Sequence, residues 1–142
     1  MANAIAEGIT KEGIPVDLME VKNIEINDLL DYEGLIFGSP TYYGLMAAEL
    51  KKLLDDSVKH HGKLSGKVAG AFTSSGMIGG GGETTIFSIL KACMIHGMIV
   101  AGDATLQHYG PLSIGSPNDE TTRSCTKYGQ KIAGLVKKIF RE

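Results

Sequence analysis

Gly34-Leu35-Ile36-Phe37-Gly38-Ser39-Pro40-Thr41-Tyr42-Tyr43-Gly44 is the stretch that decides the architecture. A short apolar run ends in Ser-Pro and a turn, after which Met46, Leu50, Leu53 and Leu54 recur at helical spacing. Continuous apolar runs of strand length are expected of parallel strands covered on both faces, with helices as their connections. The pattern recurs in both directions. Val68 to Thr73 (VAGAFT) and Met98 to Gly102 (MIVAG) are strand-length runs downstream, and Val16 to Val21 (VDLMEV) is one upstream. Ile86, Ile89, Leu90 and Cys93 make the stripe of a further helix, and Cys125, Tyr128, Ile132, Leu135, Val136 and Ile139 that of the last. For the last helix the sequence predicts Ser116 as N-cap, Pro117 in the first turn and Asp119 three residues after the cap. The chain opens in a helix, Ala2 to Glu12, with Ile5 and Ile9 inward and Gly13 as its stop. The order α-β-β-α-β-α-β-α predicts an α/β fold with a doubly wound parallel sheet. Such a sheet ordinarily starts with a strand; this sequence starts with a helix.

Composition supports one domain over residues 1–142. The 142 residues are 43% hydrophobic, enough for one core and too few for two. A formal charge of −2 and a pI near 6.1 give no basic field for nucleic acid. No apolar run reaches the roughly 18 residues of a membrane span, and Met1 to Thr10 has no basic start before an apolar stretch. Cys93 and Cys125 form no Cys-x-x-Cys pair, so a reducing cytoplasm is the expected location. Of nineteen glycines, six fall between Gly70 and Gly82, a local bias that needs a local reason.

In an open α/β sheet, ligands sit beyond the carboxyl ends of the strands, which directs attention to three loops. The first is Ser39 to Gly44: Pro40 fixes φ, and Thr41, Tyr42 and Tyr43 stand at the rim, either to stack on a planar ligand or to pack on neighbours. The second is Ser74-Ser75-Gly76-Met77-Ile78-Gly79-Gly80-Gly81-Gly82-Glu83-Thr84. It is either a flexible linker or a place where backbone approaches something closely. It is no nucleotide P-loop, because Gly82-Glu83 stands where Lys-Ser/Thr is required and a carboxylate repels a triphosphate. The third runs from Asp103 to Gly115 and offers His108 and Tyr109, as surface residues or as ligand contacts. His60 and His61 are expected at a solvated helix end, and His96 in the core. No metal-ligand spacing and no Ser-His-Asp set is defensible, and both cysteines fall on buried faces. A phospho-receiver domain would need an aspartate where Ser39-Pro40 stands.

The first loop with its helix (Gly38 to Met46, then Leu50 to Asp55) resembles the G-[ST]-P-T-x-x-G-x-[MV] element of WrbA-like flavoproteins. These are NAD(P)H:quinone oxidoreductases of the flavodoxin superfamily. Phe72 to Gly76 with the glycine run and Glu83-Thr84 resembles the family's second flavin loop, and Tyr109-Gly110 with Ile114-Gly115 its third. Ala2 to Gly8 is similar to the helix after its phosphate loop. The resemblance spans nearly the whole chain and implies a flavodoxin-like sheet whose first, central strand and [ST]-x-T-G-N-T phosphate loop are missing. It implies FMN as cofactor and NAD(P)H as co-substrate. Pro40, Thr41, Tyr42, Tyr43 and Gly44 would flank the isoalloxazine ring, Ser74, Ser75 and Gly76 would serve its edge, and His108 and Tyr109 its far side. The flavin would carry the chemistry, with no catalytic side chain and no metal, and a quinone-like acceptor would take the electrons. Met77-Ile78 departs from a normally small, polar stretch. Without the phosphate loop, FMN is expected to bind more weakly than to a relative that has one, unless a partner supplies a strand. A flavodoxin-type electron carrier and a non-catalytic remnant acting in oligomer assembly are the alternatives. An open strand edge leads to the expectation of a homo-oligomer.

Overall fold

A computed structural model describes residues 1–105 and 107–141. Helix α1 (Ala2–Lys11) opens the chain and is stopped by Gly13, whose φ of +73° lies in the left-handed region. Strand β1 (Gly34–Pro40), helix α2 (Ala48–Asp56), strand β2 (Val68–Ser75) and helix α3 (Gly82–Ile95) follow. Strands β3 (Ile99–Val100) and β4 (Leu112–Ile114) precede the long helix α4 (Asp119–Phe140). All pairings are parallel. β1 lies on one side of β2, in register from Gly34 opposite Val68 to Pro40 opposite Ser74. On the other side, β3 pairs with Val68 and Ala69 and β4 with Thr73 to Ser75.

Helices cover both faces, as the apolar strands require. One core joins Leu35, Phe37 and Ala69 to Leu50 and Leu54 of α2 and Ile86, Ile89 and Cys93 of α3. The other joins Val68 to Ile5 and Ile9 of α1 and to Cys125, Ile132 and Val136 of α4. Helices α1 and α4 touch backbone to backbone. A methyl group on Gly8 would lie 2.1 Å from the carbonyl oxygen of Thr126, and one on Gly129 2.1 Å from that of Ile5.

Four expectations are corrected. Val16 to Val21 is not a strand: residues 14–20 join no ladder, and Val21 begins a short 3-10 turn instead. The run Met98 to Gly102 shrinks to Ile99–Val100, and the same side of β2 is resumed twelve residues later by β4, too short to read from sequence. Helix α4 takes Asn118, not Ser116, as its cap, the Asn118 Oδ1 accepting from the Thr121 N–H at 2.8 Å. His60 is buried rather than solvated, its Nε2 2.9 Å from Asn27 Oδ1. His96 is in the core as expected, its Nε2 2.8 Å from Ser57 Oγ, but Nδ1 of both histidines has no partner among the described residues.

The break between β3 and β4 leaves Ala71 without a neighbour on that side of β2, and a side chain repairs it. The Ala71 N–H donates to the Tyr128 hydroxyl at 3.1 Å, and burial pushes that phenol up to about 12. Gly70 has no Cβ because one there would lie 2.5 Å from the Tyr128 oxygen. Among the described residues no helix is long and apolar enough to cross a membrane, and no group of three His, Cys, Asp or Glu could hold a metal.

Candidate functional site

The loops after β1 and β2 meet beyond the carboxyl end of the sheet. The Ser39 hydroxyl accepts from the Ala47 N–H at 2.8 Å, which ties the start of α2 to the end of β1. The Thr73 hydroxyl donates to the Ser39 carbonyl at 2.6 Å and lies 3.0 Å from the Thr41 hydroxyl, while the Thr41 N–H donates to the Ser74 carbonyl at 2.8 Å. Between these ties Tyr42 and Leu45 exchange two backbone hydrogen bonds of 3.0 Å. Tyr43 and Gly44 make the turn with φ of +50° and +75°, the sign pattern of a type I′ turn. An L-residue held there costs about 1–2 kcal/mol. Tyr43 is nonetheless tyrosine, and the residue is fully exposed. A strained residue carrying an unburied aromatic ring contributes nothing to the core, and such outliers cluster where ligands are gripped.

The glycine run is stitched to its surroundings rather than loose. Gly81 caps α3 with φ +90°, and a methyl group on it would lie 2.5 Å from the Gly44 Cα. The Thr84 hydroxyl is 2.8 Å from the Gly44 carbonyl and 2.9 Å from that of Gly81, so one side chain clamps the two loops together. Gly82 closes against Leu112 of β4. Ser75 is buried, its hydroxyl spent on the Met77 carbonyl at 3.1 Å, whereas Ser74 is half-buried beside it. Gly76 is open, with nothing within 4 Å of where a Cβ would stand. Among the described residues, the backbone N–H groups of Gly76, Met77, Ile78 and Gly79 donate to no protein acceptor. Met77 and Ile78 are exposed, Ile78 at 85%.

The third segment returns to the second at its end, the Gly115 N–H donating to the Ser75 carbonyl at 2.7 Å, but its middle is held by other contacts. Gly110 approaches the Ala71 carbonyl at mid-strand, and the Tyr109 ring packs on Phe87 of α3 with centroids 4.3 Å apart. His108 Nδ1 is 2.7 Å from the Asp103 carbonyl, and the Asp103 N–H donates to the His108 carbonyl at 2.9 Å. Hydrogen bonds from the Thr105 N–H and hydroxyl, with Lys131 beyond them, hold the Asp103 carboxyl far below the usual carboxylate range. The structure thus joins Pro40 to Gly44 with Ser74 to Gly76, and sets His108 and Tyr109 against Asp103 and Phe87. Thr73 and Thr84, which join the loops, lie outside the sequence-derived set; a hydroxyl within the first turn of a helix was the available signal for Thr84. Burial pushes the Cys93 thiol up to about 12, which removes it as a nucleophile.

Parallel strands with helices on both faces, and two loops joined beyond their carboxyl ends, define a doubly wound α/β protein with its ligand face at the strand ends. Comparison with known proteins agrees. Residues 26–109, more than half the chain, match the model of the NADPH-dependent FMN reductase family. The chain is 32% identical over 146 residues to a flavodoxin of Clostridium saccharobutylicum, covering 99% of this chain and 90% of that one. It is 28% identical to an NAD(P)H dehydrogenase (quinone) of Archaeoglobus fulgidus, covering 98% and 91%. Among solved structures, a WrbA-like flavodoxin from Agrobacterium tumefaciens superposes with a TM-score of 0.77 at 25% identity, covering 96% of this chain and 87% of that one. The chain belongs to the NADPH-dependent FMN reductase family, within the flavodoxin-like flavoproteins, and is an oxidoreductase of that flavin-reductase type.

FMN is the cofactor this family implies, and the two joined loops fit its ring. Tyr42 and Tyr43 offer aromatic faces at the rim, and Gly76 leaves open space beside a row of unspent N–H donors. The first turn of α1 carries no acidic residue and no side-chain cap.

Proposed function

We propose that the chain passes electrons from NAD(P)H through FMN to a quinone-like acceptor, the ring lying between the turn Tyr42-Tyr43-Gly44 and the segment Ser74-Ser75-Gly76. The observation that carries this reading is Tyr43, fully exposed on left-handed backbone and facing no core. Bound FMN supplies the two-electron exchange between nicotinamide and acceptor. The protein's own part is to grip and polarise. Pro40 and Thr41 fix the strand end, and the tyrosine rings cover the ring plane at the rim. The N–H groups from Gly76 to Gly79 face the pyrimidine edge, where they stabilise the negative charge that develops on reduction. Phosphate falls to the N–H groups of Ala2 and Asn3 at the start of α1, a helix end that favours an anion. His108 and Tyr109, anchored beside α3, take the smaller share of contacts, on the acceptor side. Exposed Met77 and Ile78 favour assembly of copies around this rim, and two buried free thiols suit a reducing cytoplasm.

Absorption near the flavin bands after adding FMN, followed by NADPH oxidation with 1,4-benzoquinone as acceptor, tests the reading. Protein-bound flavin and quinone-dependent turnover are expected. Flavin that stays free in the filtrate, or NADPH oxidation no faster than with free FMN, defeats it.

A further inference from the structure

A cleft of about 550 Å³ runs along the outer edge of β4, between that strand and the first turns of α4. The direction of each β4 peptide follows from its ladder. The Thr73 N–H donates to the Pro111 carbonyl and the Gly115 N–H to the Ser75 carbonyl, so Pro111, Ser113 and Gly115 address β2. Leu112 and Ile114 therefore turn their N–H and C=O groups outward, to the cleft they line. At Leu112 the Gln107 carboxamide meets both: its Nε2 donates to the Leu112 carbonyl at 2.7 Å, and its Oε1 accepts from the Leu112 N–H at 2.8 Å. Two residues on, the same donor and acceptor of Ile114 have no partner among the described residues.

The facing wall divides in the same way. Thr122 and Thr126, which do not line the cleft, donate their hydroxyls back to helix carbonyls at 2.9 and 3.2 Å. Thr121 and Ser124, which line it, make no side-chain hydrogen bond among the described residues. Lys131 and Lys137, farther along α4, are paired with Asp103 and Glu12 at 3.2 and 3.3 Å. Arg123 and Lys127, one turn apart on the cleft wall, form no ion pair among the described residues. Glu120 is the single carboxylate among the lining residues, so the cleft carries an excess of positive charge.

We propose that this cleft holds the adenosine phosphate end of NADPH, Ile114 reading the base and Arg123 and Lys127 the 2′-phosphate, an inference that rests on the hydride-donor reading above. A ligand edge that fits Ile114 carries a donor and an acceptor side by side, as the Gln107 carboxamide does at Leu112. Adenine presents that pair in its N6 amine and N7. A phosphate monoester suits a guanidinium and an ammonium whose side chains start about 6 Å apart on one helix face. The cleft's volume falls within the about 300–1,000 Å³ usual for small-molecule sites. Its position favours the same occupant. The Gly115 N–H bond to the Ser75 carbonyl, at 2.7 Å, joins the end of β4 to the segment beside the proposed flavin ring. A dinucleotide whose nicotinamide meets that ring therefore leaves its adenosine end to lie along β4.

The test starts from the full chain without FMN, so that its failure is distinct from failure of the flavin reading. The probe is adenosine 2′,5′-bisphosphate, followed by amide chemical shifts. Saturable shifts are expected at Ile114, Thr121 and Ser124, and binding about tenfold weaker in Arg123→Gln and in Lys127→Gln. Both substitutions are at exposed positions and keep the parent's melting temperature. Inosine 2′,5′-bisphosphate, with a carbonyl in place of the N6 amine, binds about tenfold more weakly than the adenosine compound. In the FMN-loaded chain, Arg123→Gln raises KM for NADPH by about tenfold with kcat within about twofold, and moves KM for NADH far less. The proposal is overturned if the bisphosphate shifts none of the three amides. It is overturned too if inosine bisphosphate or inorganic phosphate shifts them at the same concentration, which makes the cleft an adventitious anion site only. An unchanged KM for NADPH in a variant that still reduces quinone assigns the cleft to a free adenine nucleotide and also overturns it. A chain that binds the bisphosphate with the expected ranking but takes up no FMN supports the cleft and defeats the flavin reading alone.

Discussion

The two loops beyond β1 and β2 and the segment between β3 and β4 solve the problem of an irregular backbone in opposite ways. The first pair leans on glycine and on hydroxyls: Gly44 against Gly81, and Thr84 bonded to both carbonyls. This brings two backbones together and leaves Tyr43 and the N–H groups of Gly76 to Gly79 turned outward. The later segment spends its polar groups inside the protein, Asp103 on Thr105 and on Lys131 of α4 and His108 on Asp103, while Tyr128 of α4 fills the gap it leaves at Ala71. A surface that keeps donors and an aromatic ring unspent, at the cost of backbone strain, is equipped to bind; one that satisfies its own groups is equipped to hold its shape.

The largest effect is expected at the contact between the two loops. Gly81→Ala puts a methyl 2.5 Å from the Gly44 Cα on backbone at φ +90°, so it costs about 1–3 kcal/mol and pushes the loops apart. Thermal unfolding should show the loss and flavin titration a parallel drop in affinity; an unchanged melting temperature means the loops are not in contact. On the self-satisfied side, Tyr128→Phe strands the buried Ala71 N–H and costs about 1–3 kcal/mol with little effect on flavin. Loss of flavin affinity at constant stability in that variant reverses the comparison.

Tyr43→Gly separates binding from stability most cleanly. Glycine accepts the φ of +50° without strain, so the melting point holds or rises, while loss of a stacking ring weakens FMN by about tenfold. The smallest effect concerns acid. The Asp103 carboxyl is depressed in the folded protein, so its contribution is present above the unfolded value of about 3.9 and fades as pH falls below it. The Asp103, Thr105 and Gly110 amides, each bonded within this segment, should keep their exchange protection from about pH 7 to 4 and lose it only as pH falls well below about 4, toward the depressed value. Asp103→Asn should show the same loosening at neutral pH, and protection unmoved by either change means the carboxylate does not hold this segment.

Helices were readable because burial imposes a stripe that lies within one segment: the faces of α2, α3 and α4 follow the spacing of Leu50, Ile86 and Ile132, except that Ile139, expected on the last stripe, is exposed near the helix end. Strands depend on a neighbour, which no local stretch reveals. Val16 to Val21 has the composition of a strand but no ladder, while Leu112 to Ile114 has only three residues and earns its place from pairing with β2. The loop after β1 and the glycine run were legible as candidate site elements from their position after strands. The type I′ turn that forces Tyr43 into left-handed backbone was hidden, because only the following Gly44 hinted at it. The burial of His60 was equally hidden, since its partner Asn27 lies 33 residues away in sequence.

Titration of FMN into the parent chain, Tyr43→Gly and His108→Ala, read by quenching of flavin fluorescence, compares the strained turn with the anchored segment. Saturable binding is expected of the parent, about tenfold weaker binding of Tyr43→Gly, and binding within about twofold of the parent for His108→Ala. A parent that does not bind, or a ranking in which His108→Ala loses affinity and Tyr43→Gly does not, rules out a flavin site built on the turn at Tyr43.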